Sequence, residues 1–169
     1  MEKIISILKK ISDFFEKVGI VISTLYCVVV FCMVFSGVFL RIIGKSLSWS
    51  EEVSRWLLIS MAFVSSSVAM KRGMHVGITY FIRMVPASIM RFIIFVSNCF
   101  VMVFLIYGFS SSLRAALHAR NQLGDIILIP MMYVKLNLPF GFFMMMVHLL
   151  YISFAVLKSD EPQNYMISS

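Results

Sequence analysis

The side chains of this chain that could transfer protons or bind a metal are few and far apart. Its histidines are His75, His118 and His148, and their spacing matches no set of zinc ligands. The sequence also contains no glycine-rich phosphate-binding loop and no turn that presents a nucleophilic serine. We therefore expect a protein that is not an enzyme and that needs no cofactor or metal.

Two polar residues lie inside long apolar runs, where a polar group without a partner is costly. They are Asn98 and His148. An ionisable residue in such a run is a candidate for a transport site. The alternative, which we favour, is that neutral His148 hydrogen-bonds Asn98 or a serine across a helix interface.

A second group precedes another apolar run and comprises Trp49, Glu51, Glu52, Arg55 and Trp56. Ser48 and Glu51 have the spacing of a capping box, which predicts that a helix begins there. Glu51 and Arg55 are four residues apart and can pair on one face, while tryptophan favours the membrane interface. The group is either a helix start anchored at that interface or a surface that binds another protein.

The elements around these residues are predominantly apolar. The chain has 169 residues, of which 60% are hydrophobic and 14% charged, and its mean hydropathy is +0.94. Because a membrane span needs about 20 apolar residues, we predict an all-α integral membrane protein with four spans, at residues 18–40, 48–70, 92–113 and 138–157. Cys27, Cys32 and Cys99 fall inside these spans, which argues against disulfides.

The segments outside the spans are amphipathic or polar. Residues 1–17 predict an amphipathic interfacial helix, after which the chain would turn into the first span; the alternative is that the first span simply protrudes. Residues 76–91 predict an interfacial arm, and residues 158–169 a polar tail. A break before the last span is predicted by Lys135, Asn137 and Pro139. Residues 126–134 would then rest at the outer interface, and residues 138–157 would cross the membrane. The transmembrane domain as a whole is predicted at residues 18–157.

Helix packing is predicted for the small residues of the second span. Ala62 and Ser66, like Ser65 and Ala69, are four residues apart, so this face should meet another helix, in this chain or in a partner.

The positive charges indicate an orientation rather than a nucleic-acid partner. The net charge is +7, and the 15 basic residues lie at the ends of the apolar runs, nine on the side of the termini and six on the other. By the positive-inside rule both termini are cytoplasmic.

The residues from 48 to 80 resemble the signature of the small membrane subunit of tripartite ATP-independent periplasmic (TRAP) transporters. The resemblance is carried by Trp49, Glu51 or Glu52, and Arg55 at the helix start, by the small residues that follow, and by the run Arg72, Gly73, Met74, His75 after Lys71. The segment LPFG, with Pro139 and Gly141, is similar to the entry of the family's last helix. An acid that the family often has after the histidine is absent, which weakens any specific role for that loop.

The resemblance implies a multi-pass subunit of the bacterial inner membrane that works in sodium-driven uptake of organic acids, such as sialic acid or C4-dicarboxylates. Its partners would be a large membrane subunit, a periplasmic substrate-binding protein and membrane lipids. The chain would be a fixed scaffold beside the moving large subunit. Candidates for docking the binding protein are Lys45, Arg114, Arg120 and Asp125, on the predicted outer side.

Two other classes of protein were weighed. A small homodimeric four-helix transporter would need a carboxylate at mid-membrane, but Glu51 and Glu52 stand at a helix start. A membrane enzyme that passes disulfide electrons to quinone would need cysteine pairs in the outer loops, and the sequence has none there.

Overall fold

The computed structural model describes residues 2–45, 47–72 and 87–158 of the chain. These residues form helices α1 Glu2–Ile42, α2 Ser48–Lys71, α3 Ala87–His118, α4 Met131–Lys135 and α5 Asn137–Lys158, with a turn of 3-10 helix at Ala119–Asn121. The described ranges contain no strand. Four helical stretches among them are long and apolar enough to cross a membrane, which confirms the predicted four spans.

The first helix, α1, is one continuous element of 41 residues. At 1.5 Å per residue it is about 61 Å long, roughly twice the thickness of a hydrocarbon core. The predicted turn between residues 17 and 18 is therefore wrong, and the protruding alternative describes the helix. Gly19 lies just past that point, where a Cβ would come within 2.8 Å of Val68, so the close approach of α2 supports the helix there. Contact of residues 1–17 with the membrane surface remains a prediction.

The connection from α1 to α2 is a tight turn. Gly44 has a φ of +79°, and the amides of Gly44 and Lys45 donate to the carbonyls of Arg41 and Leu40. These two bonds are the Schellman arrangement that ends many helices. The helix α2 then begins at Ser48, as predicted, but Leu47 is its capping residue and no side chain caps it. The predicted capping box is wrong because Ser48 already lies inside the helix.

The third helix, α3, begins earlier than predicted. It starts at Ala87. Residues 87–91 therefore belong to the same helix as the predicted third span, and their position at the interface stays a prediction. The rest of the arm lies outside the described residues, as do Gly73, His75 and residues 159–169 of the tail.

The helix is interrupted at a single residue near the predicted break, while the interfacial position of residues 126–134 stays a prediction. The short helix α4 ends at Lys135, and α5 starts at Asn137 after a turn at Leu136. Pro139 lies in the first turn of α5, where its missing N–H would have had no partner in the helix. The break thus falls at Leu136, between two of the residues that indicated it.

Helix α5 occupies the centre of the bundle, because it contacts α1, α2 and α3. Glycines make two of these contacts close: a Cβ on Gly141 would lie 2.8 Å from Phe63, and one on Gly108 would lie 2.6 Å from Phe142. We call the end of the bundle that holds the start of α1 and the end of α2 the N-terminal end. The opposite end, with the turn at Gly44 and residues 122–130, is the loop end.

Candidate functional site

At the loop end, the carboxylate of Glu52 holds the connection between α3 and α4. It accepts hydrogen bonds from the backbone amides of Asp125 at 2.7 Å, Ile126 at 3.1 Å and Ile127 at 2.9 Å. Glu52 is only 5% exposed. Three amide donors can satisfy a buried carboxylate without a cation, since hydrogen bonds to an ionised group are stronger than neutral ones. Glu52 is thus bound within the chain.

The loop reaches Glu52 because Gly124 lets its backbone come close. A Cβ on Gly124 would lie 2.9 Å from the Glu52 carboxylate, 2.9 Å from the Trp56 ring and 2.4 Å from the Ile127 carbonyl. Two backbone bonds close the loop, from Gly124 N to Ile129 O at 3.1 Å and from Met131 N to Gln122 O at 2.8 Å. The sequence reasoning missed this link between Glu52 and the loop.

The other residues of the predicted helix-start group point elsewhere. The carboxylate of Glu51 pairs with Arg41 of α1, and both side chains are largely exposed. Arg55 donates to the backbone carbonyl of Glu51 at 3.3 Å and not to its side chain, so the predicted pair of Glu51 and Arg55 is wrong. Trp49 is 43% exposed. The five residues therefore divide between contacts inside the chain and an exposed rim.

The four docking candidates all lie at the loop end with exposed side chains. They are Lys45, Arg114, Arg120 and Asp125. Arg114 donates to the carbonyl of Ser110 at 3.3 Å, one turn back in α3. The ammonium group of Lys135, by contrast, donates a hydrogen bond to the side-chain oxygen of Gln122 at 3.0 Å. The exposed arginines thus retain donors that can face a partner.

At the N-terminal end, side-chain ion pairs join α1 to α2. Lys71 pairs with Asp13 and with Glu16, the latter at 2.8 Å, and Arg72 pairs with Glu16 at 2.9 Å. The Lys71 side chain is only 10% exposed. Two of the four predicted loop-motif residues, Lys71 and Arg72, therefore have contacts that fix the end of α2.

His148 lies at the same end and is fully buried. Its Nδ1 is 2.8 Å from the hydroxyl of Ser12, which is also fully buried. Its Nε2 has no hydrogen-bond partner among the described residues. Since Ser12 precedes Asp13 in α1, His148 is level with the ion pairs that join α1 to α2. Asn98 instead donates to Ser153 at 3.0 Å.

The small residues of α2 divide between two faces. Ser60 and Ser67 are buried against this chain, whereas Ala62 and Ser66 are exposed. The hydroxyl of Ser66 donates to the carbonyl of Ala62 at 2.8 Å, so its one donor is used inside the helix and its oxygen can still accept. Further towards the loop end a groove separates α1 from α2, lined by Gly37, Ser50, Ser54 and Arg55, among others. Ala62 and Ser66 therefore have no helix against them within the described residues.

The described residues contain no cluster of three potential metal-ligating side chains. Two ionisable side chains among them are buried: the Glu52 carboxylate accepts from the loop amides, and His148 Nδ1 lies beside the hydroxyl of Ser12. What these contacts accomplish is to fix helices and a loop relative to one another. The exposed surfaces remain for lipid and for other proteins.

Comparison with known proteins gives one family. Residues 30–158 match the model of the DctQ component of tripartite ATP-independent periplasmic transporters. A search of curated proteins gave no match. The matched segment covers most of the chain and includes α2, the connection between α3 and α4, and α5. The chain therefore belongs to the DctQ family and is the small membrane subunit of a TRAP transporter.

Proposed function

We propose that this subunit is a fixed scaffold for the large, moving membrane subunit, and that its loop end helps to dock the periplasmic substrate-binding protein. TRAP transporters of this family consist of these three components. In our proposal the transported organic acid is carried by the large subunit, driven by sodium. This chain holds its partner in place at the inner membrane, with both termini in the cytoplasm.

The observation that carries the scaffold proposal is the exposed small-residue face of α2. Ala62 and Ser66 are exposed although they lie in the middle of a predicted span. Lipid tails gain little from small side chains, whereas a second helix can approach such a face closely. The ion pairs at the N-terminal end and the Glu52 contact at the loop end fix the helices relative to one another, which also suits a component that does not move.

Assembly tests this proposal directly. A tagged chain is extracted gently from its native membrane, and the co-purifying proteins are identified by mass. We expect one large hydrophobic partner in stoichiometric amount. Ser66→Leu should reduce its recovery. The matched control is Ser36→Leu, because Ser36 of α1 is also exposed and also donates to a carbonyl of its own helix. Recovery of a homodimer alone would contradict the proposal and favour a stand-alone transporter.

Docking of the binding protein is proposed for the exposed cations Lys45, Arg114 and Arg120, together with Asp125. Charged side chains at such a rim steer association more than they add affinity. We expect charge reversal of Arg114 and Arg120 to weaken uptake and to slow binding of the substrate-binding protein, while the membrane complex still assembles. Unchanged uptake at low ionic strength would count against this surface.

A control separates docking from a general effect of charge. Arg114→Gln with Arg120→Gln removes two exposed charges at the loop end, whereas Lys9→Gln with Lys10→Gln removes two exposed charges at the opposite end. Only the first pair should slow association of the binding protein, measured with the complex in lipid nanodiscs. Equal effects of both pairs would refute a local docking surface.

The substrate class is proposed on family likeness. We favour a sugar acid such as sialic acid over a C4-dicarboxylate. The reconstituted three-component system should take up the labelled acid only when a sodium gradient is present. Uptake driven equally well by a proton gradient would contradict sodium coupling. Uptake of the dicarboxylate but not of the sugar acid would contradict the proposed substrate.

A further inference from the structure

The connection between α3 and α4 exposes more apolar surface than a water-facing loop should. Within residues 122–130 the exposed side chains include Leu123 at 54%, Ile126 at 48%, Leu128 at 71% and Ile129 at 43%. Single exposed apolar residues are ordinary, but several together mark a surface that another apolar phase or molecule covers. We call residues 122–130 the outer loop.

The outer loop is held in one conformation, so this exposure is not that of a loose segment. Glu52 binds the amides of Asp125, Ile126 and Ile127. The backbone bonds of Gly124 to Ile129 and of Met131 to Gln122 join the two sides of the loop. The apolar side chains therefore project from a loop backbone that is held in place by Glu52 of α2.

The backbone of the outer loop lies close to the boundary between headgroups and hydrocarbon. Helix α2 has 24 residues, or about 36 Å, against a hydrocarbon core of about 30 Å. Glu52 is the fifth residue of α2, and Gly124 would touch both Glu52 and Trp56 if it carried a Cβ. The loop is thus pinned one to two turns inside the end of a spanning helix.

Other residues at this level agree with that depth. Trp49 and Trp56 flank the contact, and tryptophan is enriched where membrane meets water. A carboxylate at this depth would be costly if unpaired, and the three amide bonds of Glu52 remove that cost.

We propose that the outer loop is a lipid anchor, with Leu123, Ile126, Leu128 and Ile129 inserted into the headgroup boundary of the leaflet at the loop end, and with Glu52 as the positioning residue. The occupant of the apolar surface is lipid. The charged side chains of Arg120 and Asp125 then face outward from the membrane. The proposal requires only that the four helices span a bilayer, and it holds whether or not this subunit is a scaffold.

The test places a spin label on the loop in the assembled transporter. Cys27, Cys32 and Cys99 are replaced by alanine, and a nitroxide is attached at Leu128→Cys in one protein and at Arg120→Cys in the control. Each complex is reconstituted into vesicles of phosphatidylethanolamine and phosphatidylglycerol. Collision of the label with oxygen, which concentrates in lipid, is compared with collision with a water-soluble nickel chelate.

We expect the label at position 128 to collide several-fold more with oxygen than with nickel, and the label at position 120 to show the reverse. Frequent collision with nickel at position 128 would place the loop in water and overturn the proposal. Low collision with both reagents would place it against protein and overturn it as well. Protection that appears only after the binding protein is added would make the loop a docking surface instead.

Positioning by Glu52 is tested in the same label. In Glu52→Gln the amide of the new side chain can no longer accept from all three backbone donors, so the spectrum of the 128 label should narrow through faster motion. Glu51→Gln, next to it and exposed, should leave the spectrum unchanged. An unchanged spectrum in Glu52→Gln would refute the positioning role. If that variant fails to assemble, the depth measured in the unsubstituted complex still decides the lipid anchor.

Discussion

The two ends of the bundle are fixed by different chemistry. At the N-terminal end, Lys71 and Arg72 of α2 pair with carboxylates of α1, so side chains bind side chains. At the loop end, one carboxylate binds three consecutive backbone amides. The first arrangement joins two helices of regular structure. The second gives a defined shape to a segment that has almost no regular structure of its own.

This difference determines how each end should respond to mutation. An ion pair that is partly open to water is screened by salt and can be replaced by other pairs. A buried carboxylate that holds backbone amides has no substitute, because its loss leaves those amides without partners. The loop end is therefore the more sensitive of the two.

The largest effect is expected from Glu52→Gln. Because hydrogen bonds to an ionised group are stronger than those to a neutral one, amide hydrogen exchange at Asp125, Ile126 and Ile127 should accelerate by roughly 10- to 100-fold. The thermal midpoint of the complex should fall more than for any other variant considered below. Glu51→Gln is the matched control. Unchanged exchange in the loop would show that Glu52 does not determine its shape.

The next largest effect is expected from Lys71→Ala. Removing one partner of a fully buried ion pair costs about 3 to 5 kcal/mol, but Asp13 is 46% exposed, so we expect a loss of about 1 to 3 kcal/mol. Chemical denaturation in detergent measures it. The double-mutant cycle with Glu16→Gln should show coupling between the two residues. Full additivity would mean that the pair contributes nothing.

A smaller effect is expected from Ser12→Ala. It removes the hydrogen bond to His148, and a hydrogen bond between membrane helices contributes about 0.6 to 2 kcal/mol. Stability should fall while transport is retained, because we treat His148 as a structural residue. His148→Gln sharpens the point: transport that is abolished in an intact complex would instead support a proton-carrying role.

The smallest effect is expected from Arg41→Gln. Arg41 and Glu51 are 68% and 57% exposed, and exposed ion pairs contribute about 0 to 1 kcal/mol. The change in stability should therefore be within about 0.5 kcal/mol, measured beside Lys71→Ala under the same conditions. An effect as large as that of Lys71→Ala would contradict the contrast between exposed and buried pairs.

Much of the fold was predictable because its signals are local. The four spans follow from runs of apolar residues, and the break near Leu136 follows from Lys135, Asn137 and Pro139. Apart from the turn predicted between residues 17 and 18, the errors concern the partners of polar side chains. Glu51 was assigned to a capping box and to Arg55, but its carboxylate binds Arg41, ten residues earlier in the chain.

The Glu52 contact illustrates the limit most clearly. Its partners are backbone amides more than 70 residues away in sequence, and backbone amides carry no residue-type signal. The nearest hint was Gly124, whose missing side chain allows the close approach. For His148 the sequence predicted a hydrogen bond to Asn98 or to a serine. Only the packing of the helices shows that the partner is Ser12.

By itself the sequence determined that this is a membrane protein, how many helices cross the membrane and which family the chain resembles. The reason is that the length of an apolar run and a short motif are both properties of contiguous residues. The tertiary structure decided which polar groups meet: Glu52 with the outer loop, Lys71 with Glu16, and Ser12 with His148. These pairings depend on the rotation and register of helices packed around α5, which no single segment encodes.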